Sequence, residues 1–118
     1  MKILLAEDNH DIRRTLKSFI EHETKNLVIE AENGIDAFEK FKAQPFDLLI
    51  TDIDMPIMNG LELISKIKND IPIIIFSALP PKKDIIDKIA HHPQKVSIME
   101  KPGDIDRLIS KIKNLQKN

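Results

Sequence analysis

Four places in this chain put a reactive side chain directly after, or at the close of, a short apolar run: Glu7-Asp8, Asp52, Ser77 and Lys101. Such runs read as buried strands, and in an open α/β sheet the carboxyl ends of parallel strands face one crevice, where these folds bind and react. Three carboxylates, a hydroxyl and an ammonium gathered there have the chemistry to hold a hard divalent cation and a phosphoryl group. One carboxylate would remain to act as nucleophile.

Taken singly, most of these residues have ordinary explanations. Adjacent acids at a strand-to-helix junction suit the positive end of a helix, a role that Asp11 also fits. A serine closing an apolar run is usually a satisfied loop hydroxyl, and a lysine before Pro102 is usually solvated. Asp52 is different, because it follows Leu48-Leu49-Ile50-Thr51 and so lies at the mouth of a buried strand. A carboxylate there is costly unless something pairs it; the alternative is a turn acid before Met55-Pro56. The order of acid pair, acid, hydroxyl and lysine along successive strand ends is far more specific than any one member.

The elements that must position these groups are legible from hydropathy. Ile3 to Ala6, Leu27 to Ala31, Phe46 to Thr51, Ile73 to Ser77 and Val96 to Met99 are β-branched or apolar runs flanked by turn residues. Between and after them lie helical stripes: Ile12, Leu16, Phe19 and Ile20; Ile35, Phe38 and Phe41; Leu61, Ile64 and Ile67; Ile85, Ile86 and Ile89; and Ile105, Leu108, Ile109 and Ile112. Asn33-Gly34 marks the start of the second helix, Gln44-Pro45 its separation from the third strand, and Asn69-Asp70 the close of the third helix. Pro80-Pro81 suits a loop and the first turn of the next helix, which ends at His91-His92-Pro93. A strand–helix alternation repeated five times predicts right-handed crossovers and a parallel sheet covered on both faces, a three-layer α/β sandwich.

Composition narrows the function. At 118 residues the chain is expected to be one domain, spanning 1–118, with no output domain attached. It has no cysteine, which removes thiolate chemistry and disulfides and suits a reducing compartment. No run approaches the roughly 18 apolar residues of a membrane helix, so a soluble, cytoplasmic protein is expected. The net charge of −1, with acids and bases interspersed, supplies no basic field for direct nucleic-acid binding, and five Phe with no Trp or Tyr offer few stacking platforms. The three glycines are scattered, so there is no phosphate-binding loop for ATP.

The chain as a whole resembles the receiver domain of two-component response regulators. The resemblance rests on Glu7-Asp8, the stretch Asp52-Ile53-Asp54-Met55-Pro56-Ile57-Met58-Asn59-Gly60, Ser77-Ala78 and Lys101-Pro102. It implies a flavodoxin-like sheet in the order 2-1-3-4-5, with Asp52 as the phosphoacceptor. It further implies that Asp8 and Asp52 ligate Mg²⁺, with Glu7 acting through water and the Asp54 backbone carbonyl supplying another oxygen. Ser77 and Lys101 would bind the phosphoryl oxygens. The implied partners are a histidine kinase or phosphotransfer protein, and downstream a protein target or a tethered output domain in a longer parent. The only catalysis implied is of the protein's own phosphorylation and dephosphorylation.

Three positions depart from the family pattern. Ile98 stands where an aromatic is usual, the segment from Pro80 to Pro93 lacks the typical small-residue turn, and Gly103 follows Lys101-Pro102 in place of an apolar residue. A phosphate-independent binding module is therefore one alternative. Another is a haloacid-dehalogenase-like phosphatase using Asp52 and Asp54 as an Asp-x-Asp motif, although in such enzymes the metal-binding acids come late in the chain. His91-His92 reads as a helix end favoured by the dipole, and Lys111, Lys113 and Lys117 as a solvated helix face.

Overall fold

The computed structural model describes residues 1–78, 82–84, 87 and 96–117. Its strands are β1 (Lys2–Ala6), β2 (Leu27–Ala31), β3 (Leu48–Thr51), β4 (Ile73–Ser77) and β5 (Val96–Glu100). Its helices are α1 (His10–Thr24), α2 (Gly34–Ala43), α3 (Gly60–Lys66) and α4 (Ile105–Gln116). All strand pairings are parallel and the order is β2-β1-β3-β4-β5, as expected. The helical stripe expected at Ile85, Ile86 and Ile89, with Pro80-Pro81 and His91-His92-Pro93, lies outside the described residues.

Strand alternation divides the core into two layers. Leu4, Leu49, Ile73 and Ile75 point to the side covered by Ala37, Leu63, Ile64 and Ile67 of the α2 and α3 segments. Ile3, Leu5, Leu48, Ile50, Ile74 and Phe76 point to the other side, against Leu16 and Ile20 of α1 and Leu108, Ile109 and Ile112 of α4. Burying one such side chain stabilises the fold by about 1.5–3 kcal/mol, so the two apolar layers supply the main favourable term.

Local chemistry sets the helix starts. Asn9, Asn33 and Asn59 each accept a hydrogen bond through the side-chain oxygen, from the N–H of Ile12 at 3.0 Å, Asp36 at 2.8 Å and Glu62 at 2.9 Å respectively. Each satisfies a donor that the first helical turn leaves unpaired. Gly60 follows the third cap, and its N–H donates to the Ile53 carbonyl at 2.8 Å. A Cβ on Gly60 would collide with the backbone carbonyl oxygen of Asp52, so only glycine lets α3 start this close to the end of β3.

Several boundaries and faces differ from expectation, with β1 beginning at Lys2 rather than Ile3. β3 begins at Leu48 rather than Phe46, because the chain bends at Asp47, which is tied to Lys2: its N–H donates to the Lys2 carbonyl, its carboxylate accepts from the Lys2 N–H, both at 2.8 Å, and the Phe46 ring stacks on Phe41. α3 ends at Lys66, with Ile67 as its cap, short of Asn69-Asp70. Ile12 and Ile35 are 41% and 42% exposed. Both lie in the first turns of their helices, beyond the apolar layers, so helical spacing assigned them an inward role they do not have. β5 continues one residue further, through Glu100.

The outer edge of β2 is closed by side chains. The Val28 N–H donates to Glu21 Oε2 at 3.0 Å, while Lys17 Nζ donates to the Val28 carbonyl at 2.7 Å and Lys40 Nζ to the Glu30 carbonyl at 2.6 Å. The hydrogen bond from Val28, with further help from Lys17, holds the Glu21 carboxyl below its ordinary value.

Two outcomes follow for stability. Gly60→Ala should cost about 1–3 kcal/mol in urea unfolding, whereas Gly103→Ala, which has open space around its Cβ position, should stay within about 0.5 kcal/mol. A carboxyl lowered in the folded state contributes stability at neutral pH and loses it as pH falls through the ordinary value of 4.5 and below. Melting temperatures compared between about pH 7 and about pH 3 should therefore fall less for Glu21→Gln than for the wild type.

Candidate functional site

The backbone at each strand end is pinned by its neighbour. The Glu7 N–H donates to the Ala31 carbonyl at 3.1 Å, the Asp52 N–H to Ala6 at 3.0 Å and the Lys101 N–H to Ser77 at 2.8 Å. Sheet hydrogen bonding thus extends one residue past β1, β3 and β5, and fixes where the side chains of Glu7, Asp52 and Lys101 emerge.

Those side chains meet. Lys101 Nζ donates to Asp52 Oδ2 at 2.8 Å and also to Glu7 Oε1, with all three side chains largely buried. Asp52 Oδ1 accepts the Ile53 N–H at 2.7 Å and, at a longer 3.4 Å, the Asp54 N–H. Glu7 Oε2 accepts the Asn9 N–H at 3.2 Å. Glu7, Asp8 and Asp52 each offer one carboxylate oxygen, and these oxygens all lie within 4.8 Å of one another.

Charge at the site is unbalanced, with three carboxylates facing one ammonium. Burial pushes the Glu7 carboxyl, only 2% exposed, above its ordinary value, and the hydrogen bond from Lys101 offsets part of that rise. For Lys101, burial favours the neutral amine, but the bonds to Asp52 and Glu7 outweigh it and hold the ammonium above the usual lysine value. Lys101 therefore stays charged at neutral pH. A donor set made only of oxygens, carrying excess negative charge at this spacing, fits a hard divalent cation.

The residues singled out from sequence fall into three groups. Glu7, Asp8, Asp52 and Lys101 form the cluster itself. Ser77 ends the adjacent β4, is buried, and is tied to Lys101 through its carbonyl. Asp54 is exposed and its carboxylate is not one of the three; it faces Asp52 through its backbone N–H. Ile98 lies opposite Ile75 in the register of β4 and β5, half-buried against the layer beneath α2 and α3. The loop after Asp52 is anchored by buried Met55 and Met58, and between them Ile57 is 75% exposed with φ at 71°, a costly region for a β-branched residue. Sequence reading missed Arg13, whose Nη1 donates to the Glu7 carbonyl at 3.0 Å. The available signal was an arginine one turn into the helix that follows the acid pair.

Comparison with known proteins accounts for this arrangement, since residues 3–113 match the response regulator receiver domain. The chain belongs to the response regulator receiver family. Among relatives, the chemotaxis protein CheY1 of Helicobacter pylori is 38% identical over 92 residues, covering 73% of this chain and 74% of CheY1. The transcriptional regulatory protein CrdR of the same organism is 36% identical over 116 residues, covering 95% of this chain but 53% of CrdR, so the receiver spans about half of that relative. Among solved structures, the response regulator TrrA of Thermotoga maritima, in complex with Mg²⁺-BeF, superposes with a TM-score of 0.81 at 32% identity, covering 97% of each chain. The N-terminal domain of a Wolinella succinogenes protein reaches a TM-score of 0.88 at 27% identity, covering 99% of this receiver and 94% of that chain. Among the described residues no helix is long and apolar enough to cross a membrane.

Removing one partner of a buried charge cluster leaves the others uncompensated. Lys101→Met should therefore lower stability in chelator-treated protein by about 3 kcal/mol, measured by urea unfolding. Adding Glu7→Gln to that variant should recover roughly half of the loss.

Proposed function

We propose that this receiver takes a phosphoryl group from a histidine kinase or phosphotransfer protein onto Asp52. The observation that carries this reading is that Asp52, at the mouth of β3, is held by Lys101 and belongs with the acid pair to one three-carboxylate group. The cation that fits is Mg²⁺, which Asp8 and Asp52 would hold directly, Glu7 through water and Asp54 through its backbone carbonyl; the Mg²⁺-BeF complex of TrrA supports that choice. When bound, it neutralises oxygens of the transferring group.

The chain's own residues do the rest. The Ile53 N–H holds Asp52 Oδ1, which limits rotation of the carboxylate, while Lys101 holds Oδ2. A carboxylate oxygen of Asp52 attacks phosphorus in line, the phosphorus–nitrogen bond of a phosphohistidine breaks, and its electron pair returns to the imidazole. The product is an acyl phosphate. Lys101 moves from the carboxylate to a phosphoryl oxygen, giving a charge-assisted hydrogen bond where negative charge accumulates. The Ser77 hydroxyl donates to a second oxygen. Water then attacks phosphorus, releasing inorganic phosphate and restoring the carboxylate, so the activity is confined to the protein's own aspartate.

Residues 1–118 act in this reading as one receiver unit in the cytoplasm. It is read by a protein partner or by an output domain in a longer parent, without direct contact to nucleic acid. The Asp54 carboxylate lies outside the cluster, which does not favour the general acid role of an Asp-x-Asp phosphatase.

Incubation with acetyl phosphate and Mg²⁺ should add one labile phosphoryl group, seen by intact mass, and none in Asp52→Asn; equal labelling of the two proteins overturns the assignment. Asp8→Asn tests the metal site in the same series. With one of three crowded carboxylates neutralised, the metal-free protein should gain about 1 kcal/mol of stability, while its melting temperature should no longer rise with Mg²⁺.

A further inference from the structure

We propose that Arg13 is a positioning residue for the acid pair, setting the direction in which Asp8 presents its carboxylate. The inference rests on the phosphoacceptor reading of the site. Glu7 is held by Lys101 and Asn9, and Asp52 by Lys101 and Ile53. Asp8, exposed at the crevice rim, inherits its placement from the peptide that joins it to Glu7. One end of residue 7 is fixed by the sheet, where its N–H donates to Ala31. The other end is fixed by Arg13, whose Nη1 donates to the Glu7 carbonyl at 3.0 Å. Together these two bonds restrain both backbone torsions of Glu7, and so the position of Asp8.

Arg13 is itself immobilised. Its side chain is only 12% exposed, its Nε donates to Glu30 Oε1 at 3.2 Å, and its Nη2 lies 3.1 Å from His10 Nδ1. Glu30 is anchored in turn by Arg14 Nη1 on its second oxygen, at 3.1 Å, and by its place in β2. The planar guanidinium thus joins a β2 carboxylate to the carbonyl of the acid-bearing loop, which a single-point ammonium could not do in the same geometry. Arg13 touches none of the reacting atoms and acts through the 7–8 peptide. Arg14 shares Glu30 without reaching that peptide, which makes it the natural control.

The test is Mg²⁺ titration by calorimetry on wild type, Arg13→Met and Arg14→Met, together with acetyl phosphate labelling across a Mg²⁺ series. Arg13→Met should weaken Mg²⁺ binding about tenfold and raise the half-saturating Mg²⁺ for labelling in parallel, while the plateau labelling rate is retained. Arg14→Met should keep the wild-type Mg²⁺ constant within about twofold. A merely structural role would lower melting temperature in both variants without this split between metal constant and plateau rate. Folded Arg13→Met with wild-type Mg²⁺ affinity overturns the proposal. If Arg13→Met does not fold, Arg13→Lys, which keeps one donor but not the fork, decides it: weakened binding supports the proposal and wild-type binding overturns it. Wild type that binds Mg²⁺ and labels, beside an Arg13 variant that matches it, overturns the Arg13 assignment alone. Wild type that neither binds nor labels overturns the phosphoacceptor reading and this inference with it.

Discussion

Three carboxylates cannot be crowded at the carboxyl end of one sheet without a counter-charge, and the counter-charge here is Lys101. Its ammonium reaches Glu7 and Asp52, which lie 94 and 49 positions away in the chain. The fold makes that contact possible. β1 and β3 are neighbours whose chains leave toward opposite faces, into α1 on one side and α3 on the other, and the crevice between them opens where the strand order reverses. Lys101 stands at the end of β5, two places across from β3, so the cluster exists only when the whole sheet is assembled.

The apolar layers and the polar edge divide the work of the fold. Leu4, Leu49 and Ile75 on one side, with Ile50, Ile74 and Leu108 on the other, are sealed from solvent and supply the driving force. The ion cluster adds little net stability, because desolvating Glu7 costs more than its attraction to Lys101 returns. What it contributes is placement. The charges are held close enough to bind a cation while remaining reluctant to stay without one.

Most of this was legible in the sequence because the signals are local and repeated. A run of four apolar residues closed by a serine, as in Ile73 to Ser77, admits few readings, and Asn33-Gly34 marks a helix start by capping chemistry. Misreadings arose where a local pattern was overruled by something distant. Phe46 carries a strand-like side chain, but its neighbour Asp47 is captured by Lys2. Ile12 and Ile35 keep helical spacing, yet lie past the point where the sheet offers anything to pack against. Arg13 was missed for a related reason: its place one turn into the helix after the acid pair was the one local sign, while its partners, the Glu7 carbonyl and Glu30 of β2, are set by the fold.

The sealed edge of β2 has a consequence for how this receiver is recognised. An open edge strand offers backbone groups that any extended segment can read, whatever its side chains. Here Glu21, Lys17 and Lys40 already occupy the outward groups of Val28 and the carbonyl of Glu30. A strand approaching from that side would have to displace charged groups from bonds they already make. Recognition on this flank must therefore be written in side chains rather than in the backbone pattern that open edge strands share.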